Sequence, residues 1–433
     1  MLKFPERPRT LSVLVKEIPR QQRAVRLSIV TQFYPPDYAA TGQLIEELAQ
    51  NLRQQGMHVQ IFTGQPGYAF SKDYAPPREH VNGVLIRRSR ISRIWPQRIR
   101  GKAVSGLLFC LRSALHLLKT SCHGDVLLFT TAPPYLPVLG YFASLIYGVP
   151  YVCVLYDLYP DVAVQLRVIS PKHWLTRLWN FINHQTWKRA QQIVVLSPSV
   201  KEHISRKFPD LREKIVVIHS WADPQRIVPL AKQENWFAHR YQLVNKFTVL
   251  YSGNLGRCHD LDTIMDAVAQ LQQKSVQFVF IGGGAQRESC EAIAREQNFS
   301  NCLFLDYQEK QTLPYSLTAC DLALVSVSRG MEALIVPSKL YGILASGRPV
   351  AIVCEPHSYL RQLIAEAKCG RAFDNSDSDG LAEFICELAR DPALAQAMGK
   401  AGRDYLETHF TPEIIAQQYS EILSSEIVQQ HSK

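Results

Sequence analysis

The residues best suited to chemistry lie where a helix is predicted to begin in the second half of the chain. Pro337, Ser338 and Lys339 open an apolar helical segment that Gly347 is expected to end. Ser338 is of a type that caps helices, and Lys339 adds a positive charge beside the free N–H groups of the first turn. Such a helix start stabilises a bound anion. The alternative is an ordinary cap beside a solvated lysine.

A glycine-rich loop also suits an anion. Gly253-Asn254-Leu255-Gly256-Arg257 separates a predicted strand from a predicted helix, and small residues let the backbone approach phosphate closely. Arg257 is either a further anion contact or a surface arginine. The nearby Gly282–Gly284 turn lacks the third glycine of the dinucleotide fingerprint, so it gives only weak support to a second turn of this kind.

Two features of the first half are candidates for the opposite wall of a cleft. Asp157 follows a buried strand, and a carboxylate at the carboxyl end of a parallel strand projects into such a cleft. We expect Asp157 to be the catalytic residue that positions a hydroxyl group or helps to remove its proton. Asp161 is the alternative acid, although turn carboxylates often only cap a helix. Gly42 opens the first helix, either to present N–H groups to an anion or merely to start the helix.

Strand and helix alternate in two series, which predicts an α/β protein with two facing Rossmann-like, doubly wound parallel-sheet domains and an interdomain cleft. Predicted strands lie at 27–32, 58–63, 126–130, 151–156 and 193–196, then at 247–252, 277–281, 302–305, 322–327 and 350–353. The predicted divisions are a disordered leader at 1–25, an N-terminal domain at 26–220, a C-terminal domain at 221–410, and a helix at 411–433 that packs back on the N-terminal domain. A hinge is expected near 220–223.

Charge is divided unequally between the halves. Residues 1–220 carry 29 Lys and Arg against 13 Asp and Glu, while residues 221–433 carry 19 against 25. No acidic residue occurs between His80 and Gly124. We expect an acceptor-binding or membrane surface here, attracted to anionic lipid and continued by an apolar helix at 103–118. Its members are Arg87, Arg88, Arg90, Arg93, Trp95, Arg98, Arg100 and Lys102. A solvated basic face is the alternative, and no nucleic-acid-binding signature accompanies the charge.

Several classes of protein are disfavoured. The uncharged stretch between Asp125 and Asp157 is interrupted by prolines and glycines, which favours buried strands over a membrane span. Residues 1–26 lack the apolar core of a signal peptide. The 10 cysteines form no Cys-x-x-Cys pair and have no histidine at zinc spacing, which predicts free thiols in a reducing cytoplasm and no bound metal.

Five segments, taken in order, resemble family 4 glycosyltransferases of the GT-B fold, in the branch that assembles bacterial polysaccharides. They are residues 34–42, 157–161, 219–223, 251–256 and 336–349. The resemblance covers about residues 26–425. It implies transfer, with retention of configuration, of a sugar from a nucleoside-diphosphate sugar to a lipid-linked or growing saccharide, in cell-surface polysaccharide synthesis. It also implies that no metal or other cofactor is required, and that the departing phosphate assists a front-face displacement.

The resemblance assigns further residues. The donor diphosphate is expected over the helix that begins at Ser338. The family loop usually carries an arginine where Asn254 stands and a lysine where His259 stands, so Arg257, displaced by three positions, is the candidate replacement. Tyr307 follows a strand at the segment that frames the nucleotide base, where it either stacks on the base or packs within the protein.

One departure from the family is notable. Family members carry two glutamates eight residues apart around the donor helix, and these positions read Leu334 and Gly342 here. Glycine has no side chain that could bind ribose. Either Glu332 reaches the sugar, or backbone and water bind it, or donor binding is poor. The alternatives to an active transferase are therefore a catalytically impaired nucleotide-sugar-binding protein and a GT-B sugar epimerase.

Overall fold

The computed structural model describes residues 24–37, 39–66, 75–89, 99–119 and 122–430, with the backbone alone described at 40, 99–103 and 425–430. The N-terminal sheet has eight strands: β1 (Arg26–Val30), β2 (His58–Thr63), β3 (Arg78–Val81), β4 (Val84–Arg88), β5 (Val126–Thr130), β6 (Tyr151–Leu155), β7 (Gln192–Val195) and β8 (Ile215–Val217). Their order is β3-β4-β2-β1-β5-β6-β7-β8, and the pairings are parallel except that of β3 with β4.

Helices cover both faces of this sheet, which explains the continuous apolar runs of its central strands. They are α1 (Ala40–Gln54), α2 (Ile99–Leu117), α3 (Val138–Tyr147), α4 (Asp161–Gln165), α5 (Trp174–Arg189) and α6 (Pro198–Lys207). Every residue of β5 and β6 is buried, so the uncharged stretch forms the centre of the sheet. Among the described residues no helix is both long and apolar enough to cross a bilayer.

The C-terminal sheet is parallel throughout and has the order β11-β10-β9-β12-β13-β14. Its strands are β9 (Phe247–Ser252), β10 (Val276–Ile281), β11 (Cys302–Leu305), β12 (Leu322–Ser326), β13 (Val350–Val353) and β14 (Gly370–Phe373). The helices around it are α7 (Trp236–Arg240), α8 (Asp262–Gln270), α9 (Arg287–Glu296), α10 (Leu313–Thr318), α11 (Lys339–Ala345), α12 (Tyr359–Ala367), α13 (Ser378–Arg390) and α14 (Pro392–His409). The strand order reverses between β9 and β12, where ligands bind in such sheets. The predicted fold class is confirmed.

The chain passes twice between the domains at one place. The last helix, α15 (Pro412–Gln430), packs against α1, and Tyr419 and Leu423 are buried in the core of the N-terminal domain. Beside it, the Ala222 N–H donates to the carbonyl of Phe410 at 3.3 Å. The two connections are therefore adjacent and form the base of the cleft.

The hairpin of β3 and β4 is an element that the sequence analysis missed. Its turn is Asn82-Gly83, with φ of 51° and 78°, which is the commonest two-residue hairpin signal. β4 then pairs with β2 inside the sheet. The residues at 78–88 are therefore part of the fold and do not begin a free basic surface.

Candidate active site

A cavity of about 560 Å³ lies at the carboxyl ends of both sheets. Residues of α1 and the segment after β6 form its N-terminal wall, and the loops after β9 and β11 with the start of α11 form its C-terminal wall. Both Rossmann-like units therefore present their ligand-binding edges to one space.

Lys339, the first residue of α11, places an unpaired amine on the C-terminal wall. Its Nζ lies 3.7 Å from the centre of the Tyr251 ring and is buried without a hydrogen-bond partner in the described structure. Burial lowers the pKa of this amine to about 7. Because the ammonium has only an aromatic face beside it, an anion entering the cavity would supply the missing partner.

Gly253 makes room for this lysine. A Cβ at Gly253 would lie 3.3 Å from Cε and 3.6 Å from Nζ of Lys339, and the backbone there has a φ of 135°. Gly282 packs on the same loop so closely that a Cβ would collide with the carbonyl oxygen of Gly253. The glycines of the 282–284 turn are thus explained by the contact between two loops, and the turn packs against the glycine-rich loop at 253–257.

The predicted capping role of Ser338 is wrong. The Ser338 side chain makes no capping hydrogen bond, and its backbone is already helical, with φ and ψ of −60° and −21°. The residue is exposed and lines the cavity. Gly347, with a φ of 66°, follows the end of the helix as predicted.

Asn254 lines the cavity, but Arg257 does not. Arg257 is exposed and lines a neighbouring depression with Asp260, Asp262 and Asp266, which shares His259 with the cavity. The structure therefore does not support Arg257 as the replacement for the family cation.

His259 occupies the cavity instead of a second cation. Its Nδ1 lies 2.7 Å from the carbonyl oxygen of Ser326, which can only accept, so Nδ1 carries the proton. Burial, helped by the charge of Lys339, lowers the pKa of His259 to about 3. The imidazole is neutral, so His259 adds no positive charge beside Lys339.

Tyr307 lies where the sequence analysis expects it, on the cavity wall. Its ring packs over the backbone of Gly282 and Gly283, where an added Cβ would come within 3.3 Å and 3.2 Å of ring carbons. Its hydroxyl donates to the carbonyl of Gly283 at 3.1 Å. The ring is therefore held in one orientation by the glycine turn.

Glu332 is absent from the cavity lining, contrary to the expectation that it reaches the donor sugar. The side chain is buried, and its Oε1 accepts a hydrogen bond from the Glu355 N–H at 3.2 Å. Burial raises the pKa of this carboxyl group. Gly342 does line the cavity, whereas Leu334 is buried, and its carbonyl accepts from the Leu158 N–H across the domain boundary.

Asp157 lies on the N-terminal wall two residues beyond β6. Its side chain is open to cleft water but surrounded by protein from both domains, and this desolvation raises its pKa to about 6. Asp161 is different: it forms ion pairs with Lys207 at 2.7 Å and His203 at 3.2 Å. Although burial acts to raise the pKa of Asp161, these partners lower it. Asp161 thus holds α4 to α6, and Asp157 is the acid in the cleft.

Gly42 serves packing and does not present an amide to the cavity. Its N–H donates to the carbonyl of Ala39 at 2.9 Å. A Cβ would lie 3.0 Å from backbone atoms of Phe33 and Tyr34, so glycine lets α1 approach the loop after β1. Gln43 and Glu47 of α1 line the cavity instead.

Charged side chains that the sequence analysis did not identify join the domains beside the cavity. Lys310 Nζ lies 3.0 Å from Glu46 and 3.8 Å from Glu47. Glu47 also accepts from the Trp221 indole at 3.0 Å and lies 3.7 Å from Arg226. Burial raises the pKa of Glu47. Partners far apart in sequence leave no local signal, which is why sequence analysis missed this cluster.

The predicted basic surface is only partly described. Arg88 is buried, donates to the carbonyl of Pro35 at 2.6 Å and pairs with Glu79, so its assignment to a surface is wrong. Arg87 donates to the Cys122 sulfur at 3.2 Å. Arg90, Arg93, Trp95 and Arg98 lie outside the described residues, as do the side chains of Arg100 and Lys102 at the start of α2.

Within the described ranges, no group of three or more His, Cys, Asp or Glu side chains could hold a metal ion. All 10 cysteines lie in those ranges and are free thiols.

Comparison with known proteins identifies the family. The model of the glycosyl transferase 4-like domain matches residues 40–221, and that of glycosyl transferases group 1 matches residues 232–405. The probable glycosyltransferase WbjE of Pseudomonas aeruginosa is 25% identical over 331 residues, which cover 75% of this chain and 80% of that protein. A GDP-mannose-dependent monoacylated phosphatidylinositol monomannoside mannosyltransferase of Corynebacterium glutamicum is 26% identical over 168 residues, 38% of this chain and 44% of that one.

Solved structures show the same architecture. Anabaena HepE in complex with UDP-glucose superposes with a TM-score of 0.68 at 16% identity, covering 93% of this chain and all of that one. The two family models together span both domains and both walls of the cavity, and the chain therefore belongs to the family 4 glycosyltransferases of the GT-B fold.

Proposed function

We propose that the chain is a retaining glycosyltransferase that uses a nucleoside-diphosphate sugar and a lipid-linked or growing saccharide. The proposed setting is cell-surface polysaccharide synthesis at the cytoplasmic face of the membrane, without a metal or other cofactor. The observation that carries the proposal is the buried, unpaired amine of Lys339 on the wall of the interdomain cavity.

A diphosphate beside Lys339 would remove an electrostatic penalty of the empty protein. In the described structure the amine has no hydrogen-bond partner, and its nitrogen lies over the Tyr251 ring. A phosphate oxygen there gains a charge-assisted hydrogen bond and restores the protonated form of the lysine. The related structure of HepE holds UDP-glucose, which supports a ligand of this class.

The proposed chemistry uses the two walls separately. The bond between the anomeric carbon and the phosphate oxygen of the donor breaks, the diphosphate leaves with that oxygen, and a new bond from the anomeric carbon to the acceptor oxygen forms on the same face of the sugar. The acceptor proton passes to the departing phosphate oxygen. Asp157 orients the acceptor hydroxyl from the N-terminal wall, where its carboxylate, formed above a pKa of about 6, accepts a hydrogen bond from that hydroxyl. Lys339 stabilises the charge that develops on the leaving diphosphate.

A thermal-shift screen of nucleotide sugars tests the donor assignment, because a ligand that binds the folded state raises the unfolding temperature. UDP and GDP sugars are expected to stabilise the wild type, and Lys339→Ala is expected to lose that shift. Lys274→Ala, an exposed lysine of the same domain, is the matched control. An unchanged shift in Lys339→Ala contradicts the assignment. For the donor that binds, NMR of the product sugar in EDTA tests retention and metal independence.

Gly342 favours a second candidate, a nucleotide-sugar-binding protein with impaired transfer. The position lines the cavity without a carboxylate, and an added Cβ would meet the flexible ends of Leu317, at 3.3 Å, and Ile227, at 3.9 Å. A Cβ therefore fits there after a small shift of Leu317. Donor binding without transfer in the wild type, with transfer gained in Gly342→Glu, would establish this candidate. Transfer by the wild type would exclude it.

A further inference from the structure

One layer of helices in the N-terminal domain exposes many apolar side chains. α3 packs between α2 and α5, and their crossovers run in one direction along the sheet, which places them on one side of it. Along α2 and the residue after it, exposed side chains recur every three or four residues: Val104, Leu107, Leu111, Leu115 and Leu118. The outer side of α2 is therefore apolar along its described length.

The neighbouring helices continue this surface. α3 exposes Phe142, Leu145 and Ile146, and α5 exposes Trp174, Leu175, Leu178 and Phe181. We call the exposed apolar side chains of these three helices, together with Leu118, the apolar face. It contains 12 of the 17 exposed large hydrophobic residues in the described structure. Scattered exposure is ordinary, but such a concentration on adjacent elements marks an interaction surface.

The helices of the apolar face are basic, and Asp210 next to them pairs with His184 at 2.9 Å and with Lys188 at 3.5 Å on α5. α2, α3 and α5 contain no Asp or Glu, and they contain six basic residues: Arg100, Lys102, Arg112, Arg177, Lys188 and Arg189. Among those whose side chains are described, Arg112, Arg177, Lys188 and Arg189 are exposed. Apolar groups combined with basic residues fit a surface that is apolar inside and anionic outside.

The face adjoins the cleft. Gly106 lets α2 pack against the loop after β5, since a Cβ there would lie 2.7 Å from the Tyr135 hydroxyl. On α5, the Trp179 ring stacks on Tyr159 at 6.1 Å between centroids, and Asn183 donates to the Tyr159 carbonyl at 2.7 Å. Because Tyr159 lines the cavity, α5 connects the apolar face directly to the proposed acceptor wall.

We infer that the apolar face docks the protein on an anionic lipid bilayer and so brings the N-terminal wall to a membrane-borne acceptor. The inference rests on the proposed function and narrows its acceptor to the lipid-linked class. A second copy of the chain fits the face poorly, because a symmetric pair would oppose two sets of helices that carry Lys and Arg and no acidic residue of their own. A bilayer of anionic lipid supplies both the apolar medium and the opposite charge.

Vesicle co-sedimentation of the full chain tests this inference. We expect binding to phosphatidylcholine vesicles that contain about 30% phosphatidylglycerol, weaker binding to pure phosphatidylcholine, and release as NaCl rises from about 0.1 M to about 0.5 M. Trp174→Ser combined with Phe181→Ser should reduce binding by at least about tenfold. Trp236→Ser combined with Val228→Ser removes exposed apolar groups of the C-terminal domain and should leave binding unchanged.

A second pair of variants tests whether the basic residues contribute to vesicle binding. Arg112→Ser combined with Arg177→Ser should lower binding by at least about fivefold and flatten its salt dependence, whereas Lys274→Ser should not. The inference is overturned if the wild type stays in the supernatant, if the control variants lose as much binding as the face variants, or if neutral and anionic vesicles bind equally. It is also overturned if the free protein sediments as a dimer that the Trp174 and Phe181 variant dissociates.

Nucleotide-sugar binding separates this inference from the proposed function. A chain that binds vesicles through the apolar face but shifts its unfolding temperature with no nucleotide sugar contradicts the transferase proposal alone. A chain that binds a nucleotide sugar but no vesicle contradicts the docking inference alone.

Discussion

Two lysines line the same cavity in opposite electrostatic states. Lys310 pairs with Glu46 at 3.0 Å and lies 3.8 Å from Glu47 of the other domain. Lys339 has an aromatic ring for a neighbour and no anion in the described structure. Lys310, which has acidic partners, joins the domains, whereas Lys339, which has none among the described residues, is free to pair with an anionic ligand. The difference separates a structural charge from a binding charge.

The largest effect is expected from Lys339→Met. Loss of a charge-assisted contact to the diphosphate should weaken donor binding by about 100-fold, which corresponds to ~3 kcal/mol. Calorimetric titration with a nucleotide sugar measures it. An equal loss in Lys310→Met, with Lys339→Met unaffected, would reverse the comparison.

The same variant should make the empty protein more stable. The pKa of Lys339 falls from 10.5 to about 7 on folding, so burying the charged form costs stability at all pH values below about 7. This cost declines as the pH rises from 7 toward 10.5, because the folded protein then holds the neutral amine. Lys339→Met should therefore unfold at a higher temperature than the wild type at pH 6, and the difference should shrink by pH 9. A destabilised Lys339→Met at pH 6 contradicts this reasoning.

Asp157→Asn separates transfer from donor binding. The variant should lose about 100-fold in transfer rate with donor affinity unchanged, because Asp157 lies on the acceptor wall. In the wild type the rate should rise through about pH 6 as the carboxylate forms, and Asp157→Asn should lose that step. If Asp157→Asn weakens donor binding instead, Asp157 contacts the donor, which contradicts its assignment to the acceptor.

Lys310→Met should have a smaller effect. It leaves Glu46 and Glu47 without their lysine across the domain boundary, so we expect a loss of about 1–2 kcal/mol in unfolding free energy. Donor affinity should change less than about fivefold. Denaturant unfolding and calorimetry measure the two quantities, and Arg257→Ala, outside the cavity, should change neither.

The sequence predicted what depends on local pattern. Apolar runs located the central strands, and helix-start and loop residues pointed to Lys339, Gly253 and Asn254, all of which line the cavity. The sequence did not predict which loop side chains reach the cavity: Arg257 lines a neighbouring depression, and Glu332 is buried. The cluster of Glu47, Trp221, Arg226 and Lys310 depends on distant segments and left no pattern to find. The Asn82-Gly83 hairpin signal is local and readable in the sequence, although no hairpin was predicted there.

Proton uptake on donor binding tests the central claim most directly. At pH 8 the amine of Lys339 is mostly neutral, and a bound diphosphate should raise its pKa and draw in about one proton. Titration with UDP-glucose or GDP-mannose, whichever stabilises the protein more, in two buffers of different ionisation enthalpy measures this uptake. The account predicts about one proton per ligand for the wild type and none for Lys339→Met. Equal heats in both buffers, or equal uptake by the variant, would contradict it.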